Sequence, residues 1–154
     1  MSTRCCIAKR YGESWRGRYV HCDGYPTGVG TALHQAVRQL GYEAACKLLI
    51  ADEKVGWSVI YGKNIDFTMP PCWPYTGEPQ GPISYSARGE TEELLLTPKD
   101  ASEVEWIYIM DDRGVEVLYS DPEGRGICSC EVVHWDDPFY FPKMASIEEE
   151  VQSR

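Results

Sequence analysis

The sequence predicts an α+β fold in which a mostly antiparallel sheet, built from hairpins, is covered on one face by a helical hairpin. Two strand patterns joined by a short turn begin the chain, two helical patterns follow, and most of the remaining strand patterns come after a long irregular segment. Because strands and helices are segregated along the chain and the links between strands are short, antiparallel pairing is favoured. The length of 154 residues suits one domain with its own core.

The first half of the chain contains the first hairpin and both predicted helices. Residues 4–10 and 17–22 alternate their side chains across a turn, which predicts two paired strands. An apolar stripe at helical spacing predicts a helix over residues 29–40, and Gly41 is expected to end it. A second helix is predicted over residues 42–51.

The middle of the chain is the least regular part. Residues 56–61 permit either a strand or a cap on the helical hairpin. Residues 63–80 contain four prolines, and we interpret them as an ordered loop wrapped on the core, because Trp73 is costly to leave in water. The later strands are predicted at residues 82–88, 103–110, 115–119 and 127–135.

One globular domain is predicted over residues 1–145, followed by an acidic flexible tail over residues 146–154. The tail is acidic, and we expect it to be flexible, with at most one or two frayed helical turns. No internal repeat and no second domain pattern is recognisable in the sequence.

Charge and cysteine content limit the partners and the compartment. The formal net charge is −9, which predicts repulsion from nucleic acid, and no apolar run is long enough to cross a membrane. No signal-peptide pattern begins the sequence, and seven cysteines cannot all pair within the chain, so we expect the cytoplasm. The composition leaves homo-oligomer formation open. The local basic excess is interpreted as a solvated face and comprises Arg4, Lys9, Arg10, Arg16 and Arg18.

Residues 21–30 form a glycine-rich turn between the second strand and the first helix, and two interpretations of it remain open. As a ligand site, the turn would offer backbone N–H groups to an anion at the helix N-terminus, beside His21 and Asp23. As a structural corner, Asp23 would cap the helix, Gly24 would take a positive φ and Tyr25 would pack. The tentative ligand-binding residues are His21, Asp23, Gly24, Tyr25, Gly28, Gly30, Arg88 and Glu90.

Arg88 and Glu90 are included because of their predicted position. If the strand over residues 82–88 lies beside the first hairpin, Arg88 is expected to approach Asp23 or an anionic ligand. The alternative interpretation of this segment is a surface turn.

The same glycine-rich segment resembles a family of small bacteriophage proteins of uncharacterised function. In that family a Tyr-x-His-Trp-Asp-Gly-Tyr-Pro segment follows an N-terminal strand, and here Cys22 stands in place of the tryptophan. Residues 84–90 and 105–111 are also similar. The resemblance implies a phage-encoded protein acting in the cytoplasm of an infected bacterial host, and it implies no known activity. The matching residues are Tyr19, His21, Asp23, Gly24, Tyr25, Pro26, Gly28, Val29 and Gly30.

Other chemistry receives little support from the spacing of residues. The sequence lacks the two Cys-x2-Cys or His-x3-His pairs of a structural zinc site, so we predict no metal and no cofactor. No nucleophile elbow is present, although a cysteine–histidine pair remains possible. The residues considered for these roles are Cys5, Cys6, Cys22, His34, Cys128, Cys130 and His134.

Two functions from different classes follow from these observations. The first is a phage accessory protein, for host takeover or counter-defence, that binds a host protein or sequesters a small anionic signalling ligand without catalysis. The alternative is a small nucleotide- or phosphoester-processing enzyme that uses His21, Asp23, Arg88 and Glu90.

Overall fold

The described residues form a sheet with helices on one face. The computed structural model describes residues 2–121 and 127–153, although the side chains at positions 127, 128 and 130 lie outside this description. Within these residues the sheet has seven strands, and the fold is α+β. The strands are β1 (Cys5–Tyr11), β2 (Ser14–Val20), β3 (Trp57–Val59), β4 (Ile83–Ser84), β5 (Trp106–Met110), β6 (Gly114–Ser120) and β7 (Ile127–His134).

The helical segments follow β2 and β7. Among the described residues, no helix has both the length and the apolar composition required to cross a membrane. The segments are a π-helical turn (Pro26–Gly30), α1 (Thr31–Leu40), α2 (Tyr42–Cys46) continuing into a second π-helical turn (Lys47–Asp52), a 3₁₀ turn (Pro98–Glu103) and α3 (Tyr140–Gln152).

The sheet is mixed, so the prediction of a mostly antiparallel sheet is wrong. Its strand order is β4-β3-β2-β1-β5-β6-β7. β1 pairs in parallel with β5 and β2 pairs in parallel with β3, through Cys5 opposite Trp106 and Val20 opposite Trp57. Parallel neighbours require a long crossover, and here the helices α1 and α2 supply the crossover from β2 to β3. The sequence pattern missed it because β3 has only three residues and was ambiguous.

The larger part of the core lies between the sheet and the helices. Cys5 and Ile7 point to this side of β1, which we call the helix face, and the stripe of α1 packs there. The two residues from the irregular loop that join this core are Ile65 and Phe67. Trp73 instead remains 37% exposed, so the loop wraps on the core through other residues than expected.

The opposite face of the sheet is covered by a segment that has little regular structure. Leu96 exchanges both backbone hydrogen bonds with Gly17 of β2, at 2.9 and 2.8 Å. This pairing holds the segment against the sheet, where it covers a second cluster of apolar side chains. The buried members of that cluster are Cys6, Ala8, Trp15, Leu96, Ala101, Val104, Ile107, Ile109 and Leu118.

The C-terminal residues belong to the core and do not form a flexible tail. Residues 146–152 lie in helix α3, and Ile147 and Val151 are buried against the helix-face core. The hydroxyl of Tyr140, at the start of the helix, donates a 2.6 Å hydrogen bond to the Gly30 carbonyl. Glu149 and Glu150 are exposed, whereas Glu148 faces the first helical turn and accepts hydrogen bonds from Thr27. The buried positions of this amphipathic helix are spaced by three or four residues.

We predict that Ile147→Ala lowers the free energy of unfolding by about 2–4 kcal/mol, because it opens a cavity beneath α3. Glu149→Ala, at an exposed position on the same helix, is the control and should change stability by less than about 0.5 kcal/mol. Urea unfolding measured by fluorescence tests both variants. If the two variants were equally stable, Ile147 would not be packed in the core, and the prediction of a flexible tail would be supported.

Candidate functional site

The glycine-rich segment folds as a tight corner between β2 and the helices. The positive φ lies at Asp23, at 59°, and not at Gly24 as expected. The Asp23 carbonyl accepts a 2.8 Å hydrogen bond from the Val29 amide, while its side chain accepts one of 2.9 Å from the Tyr25 hydroxyl. Burial and this hydrogen bond raise the pKa of Tyr25 to about 12. Asp23 therefore closes the corner through its carbonyl and caps no helix through its side chain.

The glycines of this corner allow the chain to approach itself. A Cβ atom on Gly24 would lie 2.9 Å from the Cβ of Cys5, and one on Gly28 would lie under 3.0 Å from the Asp23 carbonyl oxygen. A Cβ on Gly30 would lie 3.0 Å from the sulfur of Met144 in α3. The close approach that suggested a bound phosphate is therefore made by the protein's own backbone and side chains.

The donors at the helix start already have acceptors. The Thr27 amide and hydroxyl both donate to the Glu148 carboxylate of α3, at 2.9 and 2.8 Å. The Gly28 amide donates to the Tyr25 carbonyl. The anion that a helix N-terminus favours is thus supplied by Glu148, and an external anion would have to displace it.

The other predicted site residues are also paired locally. His21 Nδ1 lies 2.8 Å from the Tyr19 hydroxyl. Arg88 forms an ion pair with Glu90, with Nε at 2.8 Å, and its guanidinium stacks 4.7 Å from the centre of the Trp73 ring. Among the described residues, no hydrogen bond or ion pair joins His21 or Asp23 to Arg88 or Glu90.

The residues considered as metal ligands or as a cysteine–histidine pair also have local contacts. In the described ranges, no three His, Cys, Asp or Glu side chains are grouped as metal ligands, and the side chains of Cys128 and Cys130 lie outside that description. His34 Nε2 donates to the Trp135 carbonyl at 3.0 Å, and burial lowers its pKa. Cys22 lies 3.9 Å from the Ser2 hydroxyl. His34 and Cys22 thus each contact a neighbouring group, and these contacts do not form a cysteine–histidine pair.

A cavity of about 500 Å³ lies elsewhere, between the distal half of the β1–β2 hairpin and α2. It lies where the hairpin extends past the helix-face core: Lys9 and Tyr11 follow Ile7 on the helix face of β1, and Lys9 lies over the ring of Tyr42 at the start of α2. We call this cavity the basic pocket. Its lining residues are Lys9, Tyr11, Arg16, Arg18, Tyr42, Glu43, Cys46, Lys47, Ile50, Ala51, Lys54 and Leu95.

The cations of the basic pocket are poorly compensated by acidic side chains. Lys9 and Arg16 are directly opposite each other on β1 and β2, an arrangement of like charges that destabilises a sheet. Within the described part of the chain, neither they nor Lys54 lie within ion-pair distance of a carboxylate. Lys47 is paired with Asp52 at 2.8 Å, on the exposed surface.

Arg18 has a different role from these exposed cations. It is 4% exposed, and its Nε donates to the Ile50 carbonyl at 2.8 Å. Its Nη1 donates to the carbonyls of Lys54 and Leu94, at 3.3 and 3.0 Å. Glu93 lies 3.8 Å from its remaining terminal nitrogen. Arg18 is thus a fixed part of the pocket floor, with most of its donors already used.

Two tyrosine rings line the basic pocket beside the cations. The Arg16 guanidinium lies 4.7 Å from the centre of the Tyr11 ring, and Lys9 Nζ lies 6.0 Å from the centre of the Tyr42 ring. Burial raises the pKa of Tyr42, and it also raises the pKa of the neighbouring thiol of Cys46. At neutral pH both groups are therefore protonated, so the pocket contains no activated thiolate.

Some cations of this pocket were identified from the sequence, but their role was not. Lys9, Arg16 and Arg18 were noted but interpreted as a solvated face, and the same group included Arg10, which is paired with Glu116. The pocket also needs Lys54, which is distant in sequence. The available signal was alternation, because Arg16 and Arg18 at alternate positions on one strand share a face with Lys9, which lies opposite Arg16 on the other strand.

A second, smaller cavity of about 310 Å³ lies near the end of β7. Its charges are mixed, since Asp112 and Asp136 accompany Arg113 and His134 around Trp135. Such a balanced lining selects less strongly for one sign of ligand charge than the basic pocket does.

Comparisons with protein-family models, with curated proteins and with solved structures find no match to this chain. The chemistry of the site is therefore argued from its own geometry.

We predict that Gly28→Ala lowers the free energy of unfolding by about 3 kcal/mol, because the new Cβ would collide with the Asp23 carbonyl that closes the corner. Gly62→Ala is the matched control, since its Cβ would lie 3.4 Å from the nearest atom of Ile65, an ordinary contact. Chemical denaturation checks the pair. A Gly28→Ala protein as stable as the control would show that the corner has room for a ligand.

Proposed function

We propose that this protein binds a small anionic ligand in the basic pocket and sequesters it without converting it. The observation that supports this most is a cavity lined by Lys9, Arg16 and Lys54 with no ion-paired carboxylate among the described residues, in a chain whose net charge is −9. An acidic protein has ample carboxylates to neutralise such cations. The lining contains five cationic side chains and one carboxylate, that of Glu43, and this excess leaves positive potential for a ligand.

The distribution of charge favours a small anion over a polyanion. At physiological ionic strength, charges are screened over about 8 Å, so a ligand inside the pocket interacts mainly with the lining cations. A long nucleic acid would extend over the surrounding surface, where acidic side chains exceed basic ones. A small ligand is therefore attracted by the pocket, whereas a large polyanion is repelled by the rest of the molecule.

The lining supports binding more than catalysis. General acid–base catalysis at neutral pH needs a group whose pKa lies near 7, and burial moves the pKa of both Tyr42 and Cys46 further above that range. The enzyme alternative needs His21 and Asp23 to act with Arg88 and Glu90, and each of these pairs with a neighbour instead. Sequestration requires only the cations and the cavity.

The resemblance to small phage proteins suggests the biological setting. A phage protein in the host cytoplasm that removes a small anionic signalling molecule would serve counter-defence, and the basic pocket is where such a molecule would bind. A host-protein partner is the second candidate. It is favoured by Phe139 and Phe141, large apolar side chains that are exposed around the start of α3.

We predict that inorganic tripolyphosphate binds the native protein, and that Lys9→Gln and Lys54→Gln each weaken its affinity about fivefold, through the loss of one pocket cation. Isothermal titration calorimetry at low ionic strength measures these affinities. Raising the salt concentration should weaken binding, as expected for charge pairing in solvent.

Lys99→Gln is the control for this experiment, because it removes the same charge at an exposed position outside the pocket. It should leave the affinity within about twofold of the native value. Absence of tripolyphosphate binding, or equal weakening in Lys99→Gln and Lys54→Gln, would contradict a specific anion site in the pocket.

A further inference from the structure

The basic pocket is lined by more than cations. Beside the charged side chains are Tyr11 and an apolar wall formed by Ile50, Ala51 and Leu95. A bare inorganic anion would use only the charged side chains. A ligand that matches the whole lining has both a multiply charged group and a planar or apolar group.

We infer that the ligand of the basic pocket is a nucleotide, with its phosphates held by Lys9, Arg16 and Lys54 and its base stacked on the Tyr11 ring. This inference rests on the proposed function, because it names the class of the anion that the pocket binds. Lysines and arginines on one side of a cavity, with an aromatic ring beside them, are the arrangement that binds phosphates and bases together.

The Tyr11 ring is exposed and held in place, so it can stack on a base. Its side chain is 48% exposed, although an aromatic ring in water loses the free energy that burial would provide. The Arg16 guanidinium already stacks on it at 4.7 Å, which fixes the ring and places a positive charge next to it. A base on the exposed part of the ring would extend this stack and bring its phosphates towards Arg16 and Lys9.

The rest of the lining suits the remainder of a nucleotide. Leu95, at 38% exposed, and Ala51 offer apolar surface to the edges of a sugar or base. Glu43 supplies a carboxylate that can accept hydrogen bonds from an exocyclic amino group or from a ribose hydroxyl. A polyphosphate would leave both Tyr11 and Glu43 without a complementary group, and a glycerol phosphate would leave the Tyr11 ring without one.

The size of the cavity also limits the ligand. A volume of about 500 Å³ lies in the range of about 300–1,000 Å³ that is usual for small-molecule pockets. It accommodates a single nucleotide with its phosphates, and it is too small for a folded or double-stranded nucleic acid.

The test compares four nucleoside triphosphates (ATP, GTP, CTP and UTP) with inorganic tripolyphosphate, by calorimetry on the full chain in one buffer. We expect at least one nucleotide to bind between about fivefold and one hundredfold more tightly than tripolyphosphate, which is the usual contribution of one stacked base. Tyr11→Leu should abolish this advantage while retaining tripolyphosphate binding, and Tyr11→Phe should preserve it. Tyr75→Leu removes a ring that is equally exposed, at 48%, outside the pocket, and should have no effect.

The outcomes separate this inference from the proposed function. If every nucleotide binds no better than tripolyphosphate, or if Tyr11→Leu retains the advantage, the nucleotide assignment is overturned and the anion site stands. If none of the five compounds binds, the proposed function itself fails. Saturation-transfer NMR on the native protein tests base contact without any variant, since stacked base protons should receive more saturation than ribose protons, and the reverse order would overturn the assignment.

Discussion

The buried guanidinium of Arg18 is the interaction on which the layers of this structure depend. Its donors contact the carbonyls of Ile50, Lys54 and Leu94, and so join strand β2 to the end of the helical layer and to the segment that leads onto the opposite sheet face. The end of a helical segment leaves carbonyl groups without hydrogen-bond donors, and a buried guanidinium needs acceptors. Here the guanidinium of Arg18 donates to these carbonyl groups, so both are satisfied. Glu53, also buried, extends the arrangement by accepting hydrogen bonds from the amides of residues 55 and 56. Among the described residues, no buried side-chain nitrogen or oxygen lacks a partner.

This anchoring explains why a pocket can exist where the helices end. Arg18 holds the end of the helical layer at a fixed position on β2, and the hairpin continues past the helix-face core towards Tyr11. The helix-face side chains of that extension are cations and a tyrosine, which tolerate water better than the aliphatic residues nearer the centre of β1. Lys9 opposite Arg16 costs stability, although each of these cations also lies over a tyrosine ring. Such a local conflict, in a chain with acidic residues to spare, supports the proposed anion site.

The sequence was informative where local patterns decide the structure. Alternation in β1 correctly separated Cys5 and Ile7 from Cys6 and Ala8, and these pairs lie in the two different core clusters. The mixed sheet could not be predicted, because the parallel partner of β2 is a strand of three residues whose pairing depends on tertiary packing. The site was missed for a related reason: Lys54 joins Lys9 only through the crossover that brings the helical layer over β2. A tail was predicted because the acidic composition of this segment was considered, while the helical spacing of Ile147 and Val151 was not.

The glycine-rich corner shows why a motif can mark structure more than function. A glycine-rich turn before a helix has the donors of an anion site, and here Glu148 of α3 takes the place of the anion. Gly30 and Tyr140 bring α3 close enough for that contact. The segment that carries the resemblance to small phage proteins thus serves to dock the last helix onto the first. If relatives share this corner, their functional residues need not lie in it.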